Sequence, residues 1–91
     1  MKKVFVIVEN FRNEKNGDCV EQVDVIAVCT SDKKAKDKVA ELHKQAISLA
    51  KSIFDEDRLE TSIGEYGSTC YLNNEWDTFH CDYTIKECEI I

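Results

Sequence analysis

The chain predicts an α+β domain: a four-stranded antiparallel sheet with one long helix packed across one face, in the order β-β-α-β-β. Three observations predict it. Two β-branched runs flank the dipeptide Asn16-Gly17, an uninterrupted stretch from Asp32 repeats its apolar residues at helical spacing, and the last third is rich in Tyr, Thr, Cys, Trp, Phe and Ile.

The first run is Val4 to Val8 and the second Val20 to Cys29. Asn16-Gly17 supplies the positive φ angles of a tight hairpin turn, so the runs pair with partner positions summing to 33. Arg12 then faces Glu21 and Lys15 faces Asp18, pairs of opposite charge that favour the register. Val4, Val6, Val8, Val23, Val25 and Ala27 fall on one face, with Phe5, Ile7, Ile26 and Val28 on the other. Both faces are apolar, so one needs cover beyond the helix. The register also sets Glu9 against Asp24, a like-charge pair that a β-bulge is expected to separate.

Thr30-Ser31-Asp32 caps a helix expected to run to Phe54, about 34 Å at the standard rise. Ala35, Val39, Leu42, Ala46, Leu49 and Ile53 form its apolar stripe, and Ala40, His43, Ile47, Ala50 and Phe54 widen one flank. Either the C-terminal segment or a second copy is expected to cover that flank, with His43 at the core edge. Lys33, Lys44 and Lys51 lie opposite, on a solvated outer face. Asp55-Glu56-Asp57-Arg58 is a charged exit, and Ile63 to Gly67, with two glycines, reads as a loop. A second hairpin follows, turning near Asn73-Asn74, with Tyr83 to Ile90 as its last strand.

Hydrophobic residues at 43% and charged residues at 33% support one packed domain over residues 1–91. A net charge of -6 and a pI near 4.8 argue against direct binding of a nucleic-acid backbone, which needs clustered Lys and Arg. The five cysteines are odd in number and lack a C-x-x-C pair, so free thiols and a reducing cytoplasm are expected. The opening run is too short for a signal peptide, and no stretch approaches the roughly 20 apolar residues of a membrane span.

Metal ligation finds no support in spacing: His80-Cys81 is followed by Cys88 only seven residues later, with no second close pair. There is no phosphate-cradling glycine loop, H-E-x-x-H or G-x-S-x-G, and Cys70 and Cys81 read as buried structural thiols. No catalytic residue, metal or cofactor is therefore assigned. Charge is uneven, however. Residues 1–54 carry ten bases and eight acids, whereas residues 55–91 carry two bases and ten acids. Glu65, Glu75, Asp77 and Asp82 alternate there with Tyr66, Tyr71, Trp76, Phe79 and Tyr83, a composition suited to gripping a basic protein surface. Glu65, Tyr71, Glu75, Trp76, Asp77 and Asp82 are the expected partner-binding residues.

The opening Lys2-Lys3-Val4-Phe5-Val6-Ile7, the central Thr30-Ser31-Asp32 with Ala35, Val39 and Leu42, and the closing Tyr83-Thr84-Ile85-Lys86-Glu87-Cys88-Glu89-Ile90 resemble small proteins of bacteriophages and Gram-positive bacteria. The resemblance spans strand and helix positions and carries no functional motif. It implies a setting, since such short acidic proteins include inhibitors of host defence, anti-CRISPR proteins among them. The expectation is a non-enzymatic protein-binding module, a phage or mobile-element inhibitor that offers its acidic C-terminal hairpin to a basic, nucleic-acid-binding protein. A homodimer is expected from the two apolar hairpin faces. The alternatives are a small dimeric structural or regulatory bacterial protein, or a protein that sequesters a small ligand.

Overall fold

A computed structural model describes residues 2–15, 17–53, 59–73 and 78–90. The elements run β1 (Lys2–Lys15), β2 (Asp18–Cys29), α1 (Asp32–Ile53), β3 (Leu59–Gly64), β4 (Gly67–Asn73) and β5 (Thr78–Ile90). All pairings are antiparallel, in the order β2-β1-β5-β4-β3. The class is α+β as expected, with five strands rather than four. The additional one, β3, fills the residues between the charged exit and Ile63, for which no element is expected, and takes in Ile63 and Gly64 from the expected loop. It lies at the sheet edge, where a strand needs few apolar residues. Glu60, Thr61 and Ser62 are all exposed there. The last strand also starts earlier than expected, at Thr78.

The first hairpin holds the sum-of-33 register from Lys15↔Asp18 to Val8↔Val25, with Gly17 at φ +86° in its turn. A bulge follows at Ile7/Val8, so Ile7 pairs with Ala27 and Phe5 with Cys29. It lies beyond Glu9↔Asp24 and leaves those two carboxylates opposite each other, correcting the expectation that a bulge would part them. Its effect is instead to shift the phase of β2 by one residue. Ala27 turns toward the helix beside Ile7, and Val28 joins Val6 on the opposite face.

Ser31 begins α1: its Oγ accepts from the Lys34 amide at 3.1 Å, and its carbonyl accepts from the Ala35 amide at 3.1 Å. Asp32 in the first turn pairs with Lys36 at 2.8 Å. The helix lies mainly across β4 and β5. Its buried line is Ala35, Val39, His43, Ala46 and Ala50, whereas Leu49 is 43% exposed. The apolar stripe is therefore rotated toward the flank that carries His43 and Ala50, and the C-terminal strands cover that flank. Four of the five buried residues are Ala or Val, which lets the helix approach closely. Ile7, Cys70, Leu72, Phe79, Cys81 and Tyr83 fill the space from the sheet. Phe11 meets Phe79 edge to face at 5.7 Å.

Among the described residues no helix lies on the other face of the sheet. One half carries Val4, Val6, Val8, Val23, Val25 and Val28, and the last three are 74%, 56% and 61% exposed. The second half is polar and holds the candidate site.

Candidate interaction surface

Strand β5 pairs with β1 on one side and β4 on the other, so three strands meet at each level. Arg12, His80 and Tyr71 share one level, and Asn10, Asp82 and Thr69 share the next. Alternation along each strand sends all six to the face opposite the helix, because Phe11, Cys81 and Cys70 between them turn inward. His80 Nε2 lies 2.7 Å from Asp82 Oδ2, and the Tyr71 ring meets the imidazole edge to face at 5.5 Å. Asp82 Oδ1 is buried and has no hydrogen-bond partner. Arg12 reaches Glu21 and Glu14, each at 3.3 Å, and these carboxylates hold its pKa above the ordinary value, the Glu14 bond contributing most.

Two shallow depressions flank His80. One, of about 430 Å³, runs between Arg12, Glu21, Val23 and Asp82. The other, of about 350 Å³, lies between Glu60, Ser62, Thr69 and Tyr71. Both are open to solvent; the first holds Glu21 and Asp82 beside Arg12 and the second holds Glu60, so they suit the polar and cationic side chains of a partner lying across the sheet better than an enclosed small molecule.

Two of the sequence-predicted residues, Tyr71 and Asp82, are brought together here. Glu65 is exposed in the turn between β3 and β4, at the far end of β4 from Asn73. Glu75, Trp76 and Asp77 lie in the connection between Asn73 and Thr78, outside the described residues. Of the aromatics in the acidic segment, Phe79 and Tyr83 belong to the core, while Tyr66 is 73% exposed. Arg12, Glu21, Glu60 and His80 were not predicted as site residues. The pattern His80-x-Asp82 within a strand was the available signal, since that spacing puts both side chains on one face.

The opposite face carries two buried thiols. Cys70 and Cys81 pair directly across β4 and β5 and are buried, and burial pushes both thiols up, Cys81 to about 11. Burial raises the pKa of the Tyr83 hydroxyl above the ordinary range, and its hydrogen bonds to Cys81 and Glu9 raise it further. Among the described residues no three His, Cys, Asp or Glu side chains converge on a metal position, and no helix is long and apolar enough to cross a membrane. No family model matches the chain, nor does any curated protein or solved structure.

Proposed function

We propose that the protein is a non-enzymatic protein-binding module that docks the polar half of its helix-free sheet face on a basic protein surface such as a nucleic-acid groove. The setting is the cytoplasm of a bacterial host, and the role is that of a phage or mobile-element inhibitor of a defence protein of the anti-CRISPR kind. One observation carries it: Tyr71, His80 and Asp82 stand together on the face opposite the helix, between depressions rimmed by Glu21 and Glu60. The carboxylates steer a cationic partner toward the face, and Tyr71, half-buried with its ring already held against His80, anchors it at low entropic cost. The net -8 of residues 55–91, a count that includes Glu75 and Asp77, adds to the same field. The chain does this as a pair of identical copies.

The test is capture from host lysate, identification of the retained protein, and binding kinetics on the purified pair. The wild type should retain a basic, nucleic-acid-binding protein at low salt and release it at high salt. The triple variant Glu21→Gln, Glu60→Gln, Asp82→Asn should associate at least tenfold more slowly, with a flatter salt dependence. Equal association rates for both proteins at low salt would remove this function.

A further inference from the structure

We infer that two copies pack sheet against sheet, valine half on valine half, about a two-fold axis lying across the strands. The inference rests on the pairing of copies in the proposed function and names the surface that performs it. Strands β1 and β2 place Val4, Val6, Val8, Val23, Val25 and Val28 on the face opposite the helix. The bulge at Ile7/Val8 completes the patch, because without it Val28 would turn inward and Ala27 would take its place.

Three features select a second copy as the occupant. The first is shape: the natural complement of an uncovered, valine-lined sheet is another sheet about 10 Å away, whose β-branched side chains interdigitate. The second is area. The molecule extends 48 × 21 Å in its two larger dimensions, so half of one face offers about 500 Å² per copy, and the pair buries about 1,000 Å², the lower limit for a specific interface. The third is charge. Each chain carries -6, so copies repel unless their acids are kept apart. The carboxylates of this face, Glu14, Glu21, Glu60 and Asp82, all lie in the polar half, and the valine half carries Lys2 and Lys86 at its rim and no carboxylate. An axis across the strands through the patch stacks the valines and points the two acidic halves in opposite directions. Val23 sits at the border between the seam and the depression beside Arg12, and each Tyr71–His80–Asp82 surface beyond it stays free for a partner.

Light scattering on the full chain from micromolar to millimolar concentration tests this. The mass should rise from 10.5 kDa toward twice that value. Val25→Lys and, separately, Val23→Lys should each raise the dimer dissociation constant at least tenfold, with circular dichroism reporting a folded monomer. Val20→Lys is the control: Val20 is on the same strand and 53% exposed, but lies on the other face, opposite Asn13. It should leave the dimer intact. Equal disruption by Val20→Lys would show edge-to-edge pairing of β2 and overturn the arrangement, as would a wild-type monomer throughout. A monomeric Val25→Lys that still binds the basic partner one to one keeps the outcome for this interface separate from that for the proposed function.

Discussion

The two faces of the sheet are made of different side chains. Against the helix stand Ile7, Phe11, Leu72, Phe79 and Tyr83, large groups interlocked with alanines. Opposite them stand valines in one half and Arg12, Tyr71, His80 and Asp82 in the other. Large flexible side chains appear where a complementary surface immobilises them, so that burial outweighs their lost entropy. The helix-free face uses valine, whose β-branched side chain is already restricted at χ1 and so has little rotamer freedom to lose. Coverage, not apolarity, decides which residues stabilise the monomer.

The sharpest break of that comparison is a truncation on each face. Phe79→Ala should cost about 3–5 kcal/mol, since Phe79 is fully buried and its ring partner Phe11 would border the cavity. That is a large share of the stability of a small domain. Val25→Ala, on the uncovered face, should cost less than about 1 kcal/mol. Urea midpoints at low protein concentration decide it, and comparable losses would mean that the valine face is covered within the monomer.

Next in size is a pair of glycines that face each other, Gly64↔Gly67. At Gly67 the backbone sits at φ +158°, and an added Cβ would run into the Tyr83 carbonyl oxygen across the strand, whereas at Gly64 it would meet nothing within 4 Å. Gly67→Ala should therefore destabilise by about 2–3 kcal/mol and Gly64→Ala by a few tenths at most. Thermal melts of the two variants make the comparison.

Much of this was legible in the sequence because local chemistry and burial agreed. Asn16-Gly17 set the first hairpin and its register, and Ser31 with the recurring alanines set the helix. The phase of β2 was not legible, because Val25-Ile26-Ala27-Val28 is apolar at every position and an alternation needs polar residues to mark it. Strand β3 was hidden for the opposite reason, since an edge strand with exposed Glu60, Thr61 and Ser62 carries no apolar signal. The candidate surface emerged only in part. Tyr71 and Asp82 were visible as members of an acidic, aromatic segment, but their meeting with Arg12 and His80 depends on β5 pairing with both β1 and β4, a long-range choice.

A smaller effect separates the faces by pH. The Cys81 thiol is neutral in the folded protein up to about 11, against an ordinary value of 9.0. A group with a raised folded pKa contributes its full stability below the unfolded value and loses it as pH rises through the folded one. Stability should therefore hold up to about pH 9 and fall between about pH 9 and 11 by about 2 kcal/mol on this account, with buried Tyr83 steepening the loss in the same direction. Cys81→Ala should lower stability at pH 7 through its cavity and flatten the alkaline decline. Denaturant midpoints measured from pH 8 to 11 would show it, and an unchanged slope would mean that Cys81 ionises freely in the native state.

The smallest expected effect tests the edge of the sheet, where Glu9 faces Asp24. The two carboxylates are not equivalent: Glu9 is half-buried and accepts a bond from the Tyr83 hydroxyl, while Asp24 is exposed on the outermost strand. Asp24→Asn keeps the shape and removes the repulsion, so it should raise stability by a few tenths of a kcal/mol. The gain should vanish at high salt, because exposed charges are screened within a Debye length of about 3 Å at 1 M. Glu9→Gln removes the same repulsion but also weakens the acceptor of the buried Tyr83 hydroxyl, so it should give no gain and lower the melting temperature slightly. Equal gains from both substitutions would show that repulsion alone governs this position, and that the Tyr83 bond does not offset it.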